Sequence, residues 1–301
     1  MFTQTLPLPE NLVPLALHRW TSVGGICLRS SCVSADTHLK QFACEQRTHD
    51  ISIVSFSCKN IVSKTGDPAF NSGAVWSLYR DGGDFAFDFV NPRLSPSPYK
   101  RLRLTGDFRC AEIAMNASAL GEHSSVSPLE YPADELLITN YLAFHGIGAE
   151  MHGCGFVDRE AGGQLFLGHS GAGKSTTMRV WEYFRSPEIL SDDRIILRIH
   201  DGELWMYGTP WHGEAEFASP GRSRLSRIFI LQHGRENSIE PLSKAQALGE
   251  MFARCFPPFY SHVGIERTLE FLKRALETVP VYRFEFVPDE TSVEAVLSFH
   301  G

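Results

Sequence analysis

The sequence predicts a two-part α/β protein, with a β-rich N-terminal domain (residues 1–128) before an α/β domain with a mixed sheet (residues 129–301). Short segments of β-forming residues fill the first part. In the second part a strand, a glycine-rich loop and a helix follow one another near residue 168, and a tight hairpin comes soon after. With 301 residues, of which 43% are hydrophobic, the chain can bury one large core or two smaller ones.

The charge balance limits the classes of partner. The formal net charge is −7, which argues against a nucleic-acid-binding surface. No segment approaches the run of about 18 apolar residues that a membrane-spanning helix needs. The first residues also lack the cationic and apolar parts of a secretory leader. We therefore expect a cytoplasmic protein that binds neither nucleic acid nor membrane.

Seven cysteines are scattered along the chain without a C-x-x-C pair. This usage is typical of free thiols in a reducing compartment, so we expect neither a disulfide nor a zinc site. Cys27 and Cys32 are expected to be core thiols. Cys154 stands two residues after His152, close to the presumed site, and is a candidate oxidation-sensitive thiol rather than a catalytic one.

The first region is predicted from its strand and turn signals. Residues 51–56, 74–79 and 84–89 are predicted strands, and the turn signal at 81–84 separates the last two. Residues 91–98 contain three prolines and predict a loop. Residues 121–128 are a second irregular segment, and a helix with acidic residues in its first turn follows over 132–142. Nothing before residue 130 has recognisable chemistry.

The most informative segment is GHSGAGKS, which matches every fixed position of the phosphate-binding motif G-x-x-x-x-G-K-[ST]. Residues 164–167 predict a buried strand that enters the loop, and residues 174–185 predict the helix that leaves it. Backbone N–H groups would surround the phosphates of a nucleoside triphosphate, Lys174 would supply a mobile cation, and the Ser175 hydroxyl would coordinate Mg²⁺. The predicted nucleotide-binding residues are Gly168, His169, Ser170, Gly171, Ala172, Gly173, Lys174, Ser175 and Thr176.

Two adjacent carboxylates, Asp192 and Asp193, end the next predicted strand. Neighbouring residues at a strand end point in opposite directions, so one carboxylate can help to hold Mg²⁺ while the other faces an incoming nucleophile. Residues 194–200 and 203–207 predict a hairpin whose Asp201-Gly202 pair forms a type I′ turn. Upstream, residues 151–157 predict a strand that pairs with the strand entering the loop and brings His152 beside the pocket. On spacing alone, His152 is more often a core histidine.

Taken together, His152-Gly153, GHSGAGKS and Ser191-Asp192-Asp193-Arg194 resemble the motifs of the HPr kinase/phosphorylase group, whose catalytic domain is related to phosphoenolpyruvate carboxykinases. The resemblance covers about residues 130–215. It implies that Asp192 is the general base on the substrate hydroxyl, that Asp193 assists Mg²⁺ and that His152 tunes the base. Lys174 and Ser175 would hold phosphate and metal.

The chain also departs from that group. The glycine- and arginine-rich segment with which the family binds HPr is not visible, and residues 208–214 follow the hairpin instead. This part, with later short motifs, is more similar to HPr-kinase-like proteins of biosynthetic clusters, including kinases that phosphorylate a serine of lasso-peptide precursors.

The remaining candidates lie in the last third. Arg222, Arg224 and Arg227 fall in a Gly/Ser/Pro-rich stretch that predicts a polar loop, where they would be solvated or would reach the transferring phosphoryl group; Arg194 is a further candidate phosphate or substrate contact. Trp211 and His212 would either line the pocket or pack at a turn. Residues 243–255 and 265–279 predict amphipathic helices of the core.

We expect an ATP-dependent, Mg²⁺-requiring kinase of the HPr-kinase-like type that phosphorylates a hydroxyl, above all a serine of a peptide or protein. Three alternatives stay open: a kinase of free serine or another small alcohol, a nucleotide-binding regulatory module with little catalysis, and, less favoured, a carboxykinase-like lyase. The sequence does not separate ATP from GTP, and it is compatible with a homo-oligomer.

Overall fold

A computed structural model describes residues 18–31, 37–121 and 126–300. The opening residues, Cys32 and positions 122–125 of the second irregular segment lie outside the described residues. The described residues divide into two compact units. Glu130 and the residues before it, apart from Ser22–Ile26, form the first unit, whereas Ser22–Ile26 and the residues from Tyr131 onward form the second.

The first unit is β-rich, as the sequence predicts. Its elements are β1 (His18–Val23), β2 (Ile26–Ser31), a 3₁₀ helix (Thr37–Phe42), β3 (Ile51–Cys58), β4 (Phe70–Asn71), β5 (Trp76–Asp81), β6 (Asp84–Phe89), β7 (Lys100–Leu104), β8 (Cys110–Asn116) and α1 (Ala117–Leu120). The strands form one mixed sheet in the order β1-β2-β3-β8-β7-β6-β5-β4, with β3 parallel to both β2 and β8. The predicted strands at 51–56 and 84–89 and the proline-rich loop at 91–98 are confirmed.

The second unit alternates helices with the strands of a second mixed sheet. Its elements are α2 (Ala133–His145), β9 (Gly148–Asp158), β10 (Gly162–Leu167), α3 (Lys174–Arg185), β11 (Glu188–Ser191), β12 (Arg194–His200), β13 (Glu203–Gly208), β14 (Arg222–His233), β15 (Ser238–Pro241), α4 (Lys244–Phe252), α5 (His262–Ala275), β16 (Val281–Phe286) and α6 (Glu290–Ser298). The strand order is β10-β9-β12-β13-β14-β16-β15; β11 also pairs with β9, and β10 also pairs with β14.

The predicted hairpin is formed by β12 and β13. Its two turn residues, Asp201 and Gly202, have φ values of +52° and +78°. Positive φ at both central positions defines a type I′ turn, whose twist matches that of the flanking strands. The Asp201-Gly202 pair was therefore sufficient to predict this hairpin from the sequence.

Side-chain alternation along β10 separates two apolar layers. Leu165 and Leu167 belong to one buried cluster, which also contains Met251 of α4 and Phe271 of α5. Phe166, which points the other way, belongs to a second cluster with Trp181 of α3 and Phe284 of β16. Helices thus cover both faces of the sheet and fix the ends of β9 and β10 between them. Among the described residues, no helix has the length and apolar character needed to span a membrane.

The last two predicted core helices are confirmed with shifted bounds. Ser243 begins α4 with a capping box, in which it and Gln246 satisfy each other's backbone N–H groups. This helix ends at Phe252, earlier than predicted, because the residues that follow pair with β9: Met151 bridges to Cys255, and the N–H of His152 donates to the Arg254 carbonyl at 2.7 Å. Backbone pairing outside the helix overrides its local helical signal.

Candidate active site

The glycine-rich loop joins the end of β10 to the start of α3, as predicted. Gly171 and Gly173 have φ values of +79° and +96°, in the left-handed region that favours glycine. A Cβ atom on Gly173 would lie 2.5 Å from the ring of Phe286, and one on Gly168 would lie 2.7 Å from Cβ of Ala172. The positions of these glycines therefore follow from sterics as well as from the motif.

The loop presents the N-terminus of α3. Gly173 is the N-cap residue, and no side chain among the described residues caps this helix. Lys174, Ser175 and Thr176 form the first turn, whose N–H groups lack carbonyl partners inside the helix. Such N–H groups and the helix dipole favour an anion at this end. His169 and Ser170 of the loop are exposed to solvent, as is Thr176.

Lys174 is buried at the base of the loop, with 8% of its surface exposed. Its Nζ donates to the carbonyls of Gly168 at 3.0 Å and His169 at 3.2 Å, and lies 3.9 Å from Oδ1 of Asp193. Burial lowers the pKa of the amine, although the nearby Asp193 carboxylate acts in the opposite direction. The structure thus brings together the predicted phosphate-binding lysine and one of the two predicted aspartates.

Asp193, predicted as a magnesium ligand, also contacts His152, which was predicted to tune the catalytic base. Nε2 of His152 lies 3.0 Å from Oδ1 of Asp193, and Nη1 of Arg194 lies 3.0 Å from Oδ2. Burial alone would raise the pKa of Asp193, but the hydrogen bond from His152 and the charges of Arg194 and Lys174 together lower it. The carboxylate is therefore ionised at neutral pH, and His152 donates to it through Nε2–H.

Asp192 points away from this group. It is 1% exposed, and its two carboxylate oxygens accept hydrogen bonds from the N–H groups of Gly213 and Ala215, each at 2.9 Å. The adjacent aspartates thus face different partners, as the strand-end argument predicts. Asp193 is the one beside the phosphate loop, whereas Asp192 holds the segment that follows β13.

Sequence reasoning missed two carboxylates around Arg194. Nε of Arg194 lies 3.3 Å from Oε1 of Glu135 on α2 and 3.2 Å from Oε1 of Glu150 on β9. The guanidinium also stacks 3.8 Å from the ring centroid of Phe256. Burial raises the pKa of Glu150 well above its ordinary value, and the neighbouring Glu135 carboxylate adds to this effect. Arg194 is therefore paired with carboxyl groups, including that of Asp193, and does not extend into solvent.

The prediction that three arginines lie in a polar loop is wrong. Arg222, Arg224 and Arg227 lie on β14, whose parallel pairing with β10 starts at Leu225 opposite Gly163 and reaches Ile230 opposite Leu167. They therefore lie toward the entry end of β10, opposite the end that carries the phosphate loop. Backbone pairing with β13 and β10 overrides the loop signal of their polar sequence.

Each of these arginines has a partner at that end. Arg222 lies over the Trp205 ring at 5.4 Å, and Arg224 pairs with Glu203 at 3.0 Å. Arg227 donates to the carbonyls of Val296 and Phe299 near the end of α6, at 3.1 and 2.9 Å. The structure does not bring them together with Lys174 and Asp193.

Three further candidates are placed in the structure. Trp211 is buried and donates from Nε1 to Asp134 at 2.8 Å, whereas His212 is exposed. Cys154 is fully buried, and burial raises the pKa of its thiol to about 12. A buried, protonated thiol is a poor nucleophile, so this environment argues against the expected oxidation sensitivity of Cys154.

The oxygen donors at the loop suit a magnesium ion. Among the described residues, no group of three or more His, Cys, Asp or Glu side chains is placed to hold a metal ion by itself. Magnesium beside a nucleotide needs fewer protein ligands, since phosphates and water complete its shell. The Ser175 hydroxyl on the first turn of α3 is a hard oxygen ligand of the kind that it prefers, whereas the two oxygens of Asp193, the other predicted ligand, lie 3.0 Å from His152 and from Arg194.

Comparison with known protein families found no match for this chain, and neither did comparison with curated proteins.

Proposed function

We propose that the chain is an ATP-dependent kinase of the HPr-kinase-like P-loop type, which transfers the γ-phosphoryl group to a hydroxyl, above all that of a serine in a peptide or protein. One observation carries the proposal. A carboxylate that is ionised at neutral pH, Asp193, lies 3.9 Å from the amine of the phosphate-loop lysine and hydrogen-bonds to His152. Such a carboxylate can accept the proton of a hydroxyl, a role for which a loop that only bound a nucleotide has no use.

The residues of the loop bind and orient the nucleotide. The N–H groups of Gly171 and of residues 173–176 and the Lys174 amine neutralise phosphate charge, and the low exposure of Lys174 strengthens its attraction to an anion. A bound magnesium ion, held by the Ser175 hydroxyl with phosphate and water oxygens, would supply further charge neutralisation on the phosphates. In phosphoryl transfer such positioning and charge neutralisation account for most of the catalysis.

We assign the acceptor proton to Asp193 rather than Asp192. The acceptor oxygen forms a bond to the γ-phosphorus, the bond to the β–γ bridging oxygen breaks with its electron pair remaining on ADP, and the hydroxyl proton passes to Asp193. Asp192 is only 1% exposed and cannot reach an acceptor, whereas 23% of the Asp193 side chain is exposed. His152 holds the Asp193 carboxylate in place and stabilises its charge.

The exposure of the loop supports a large acceptor. His169, Ser170 and Gly171 are all exposed, so a peptide or protein can approach the phosphate end of the site. The choice of serine rests on the motif similarity to kinases that modify peptide precursors. Free serine fits the same chemistry and is separated from the peptide by experiment.

The proposal is tested with ATP labelled on its γ-phosphate, incubated with the protein, Mg²⁺ and, in turn, a serine-containing peptide encoded beside the gene, HPr, free serine and no acceptor. We expect label on the peptide and slow release of phosphate without an acceptor. Label on free serine alone would preserve the chemistry and change the substrate. Label found only as free phosphate, at a rate that no acceptor alters, would refute the kinase and favour a hydrolysing or regulatory module.

A further inference from the structure

Arg254 lies beside the entrance of the phosphate loop, although no sequence motif marks it. The N–H of His152 donates to the Arg254 carbonyl at 2.7 Å, and the N–H of Gly168 donates to the His152 carbonyl at 3.3 Å. One residue of β9 therefore joins the first residue of the loop to Arg254 through its backbone. Segment 254–256 pairs with β9 at His152, while β10 pairs with β9 from Gly153 onward.

The guanidinium of Arg254 is buried with one donor, Nε, that has no partner among the described residues. The residue is 7% exposed. Its Nη1 donates to the backbone carbonyl of Glu250 at 3.0 Å and to the Glu250 carboxylate. Within the described part of the chain, its Nε is buried and has no hydrogen-bond partner. A buried donor without a partner is unfavourable, and a ligand oxygen would satisfy it.

The charge of Arg254 acts on the loop itself. Burial lowers the pKa of His169, and the charge on Arg254 is the next largest cause. Two cations thus act on the same loop, since Lys174 donates to the His169 carbonyl from within it. Converging positive charges at a phosphate loop favour the most highly charged end of a bound nucleotide.

Other arginines are placed for other roles. Arg194 is held by Glu135, Glu150 and Asp193, and Arg227 donates to carbonyls beside α6. Arg254 differs because Glu250, its one carboxylate partner among the described residues, stands four positions earlier in the last turn of α4 and is 30% exposed, so that solvent can replace Arg254 at this carboxylate. The guanidinium can therefore leave Glu250 without stranding a buried charge.

We propose that Arg254 binds the outermost phosphate of the nucleotide, exchanging Glu250 for it, and stabilises the charge on the phosphoryl group during transfer. This role rests on the proposed kinase function and adds a catalytic residue to it. Arg254 gives and takes no proton; the acceptor proton still passes to Asp193 and the leaving electron pair to ADP. A preorganised donor of this kind typically contributes a factor of about 10²–10³ to the rate.

Calorimetric titration of the full chain with Mg·ADP and with the magnesium complex of a non-hydrolysable ATP analogue tests the role. We expect Arg254→Gln to weaken the analogue about 10- to 100-fold while ADP affinity stays the same, because the lost hydrogen bonds reach only the third phosphate. Arg185→Gln is the matched control: that arginine also pairs with carboxylates, Asp158 and Glu160, but at the far end of α3. It should change neither affinity.

Three results would count against the proposal. Equal weakening of both nucleotides by Arg254→Gln would indicate a structural role, and unchanged binding of both would place Arg254 outside the site. If the wild-type protein bound neither nucleotide, the proposed kinase itself would fail. Should Arg254→Gln not fold, Glu250→Gln decides the matter: releasing Arg254 should tighten the analogue several-fold more than ADP, and equal effects on the two would overturn the role.

Discussion

Nε2 of His152 and Oδ1 of Asp193 are 3.0 Å apart, although 40 residues separate the two in the chain. The contact exists because β9 and β12 pair antiparallel, with His152 opposite Arg194. The N–H of Gly153 also donates to the Asp193 carbonyl at 3.0 Å, which fixes the aspartate backbone. Sheet register therefore places a carboxylate beside the phosphate loop, and the following predictions depend on that placement.

Lys174→Ala should weaken Mg·ATP binding by about 2–4 kcal/mol, because it removes a largely dehydrated cation from the phosphates. The measurement is calorimetric titration, with circular dichroism to confirm that the fold is retained. Lys244→Ala is the control, since Lys244 forms an exposed pair with Glu277 on the surface. Wild-type affinity in Lys174→Ala would show that the nucleotide binds elsewhere.

Asp193→Asn should lower the rate of phosphoryl transfer, whereas Asp192→Asn should lower the stability of the fold. Asp193→Asn removes the proton acceptor and should slow transfer by about 10²–10⁴ while nucleotide affinity is kept. Asp192→Asn leaves the half-buried N–H group of Gly213 or of Ala215 with a poorer partner and should lower the free energy of unfolding by about 1–3 kcal/mol. Steady-state transfer and urea denaturation of both variants separate these effects. The reverse pattern would return the catalytic role to Asp192.

The free energy of unfolding of Glu150→Gln should increase relative to that of the wild type as pH rises. The pKa of Glu150 in the folded protein lies above its ordinary value of 4.5, so above that pH the unfolded chain releases a proton that the folded protein keeps. Wild-type stability is therefore lost between the two pKa values, by about 1.4 kcal/mol for each pH unit, whereas glutamine does not titrate. Urea denaturation at pH 4 and pH 8 should show the difference growing in favour of the variant. A pH-independent difference would mean that Glu150 ionises normally.

Gly173→Ala should be more harmful than Gly171→Ala. Both residues have positive φ, which costs alanine about 1–2 kcal/mol. Only at Gly173 would the new methyl group meet Phe286, at 2.5 Å, whereas the space beside Gly171 is open. Urea denaturation should show a loss of about 3 kcal/mol or more for Gly173→Ala.

The steric part of that loss can be isolated. Adding Phe286→Leu to Gly173→Ala should recover part of the stability, although each change alone is destabilising. Strictly additive effects in the double variant would show that the methyl group does not contact the Phe286 ring.

Local signals predicted much of the loop and its surroundings. The strand before the loop and the bounds of α3 follow from a motif and from periodicity, and the Asp201-Gly202 turn from residue preference. These features depend on residues close in sequence.

Features that depend on distant pairing could not be predicted. Glu135, Glu150 and Arg194 meet only because α2, β9 and β12 are neighbours in the fold, and no local pattern links them. Arg222 and Arg227 were expected in a loop because their polar, proline-flanked sequence resembles one, yet pairing with β13 and β10 makes it a strand. Arg254 lay in the last turn of a predicted core helix, and its backbone contact with His152, which relates it to the loop, depends on pairing with a distant strand.

The pairing of β9 on both of its edges also decides where the chain can change length. β10, β11, β12 and segment 254–256 all take their register from this strand. Deleting one residue near Ala149 would turn His152 to the opposite face of the sheet and put Gly153 in its position. The segments that pair with β9 would then all lose their register. The Asp201-Gly202 turn can absorb an insertion. Engineers who wish to fuse a tag or a second domain within the chain should therefore choose that turn and leave β9 intact.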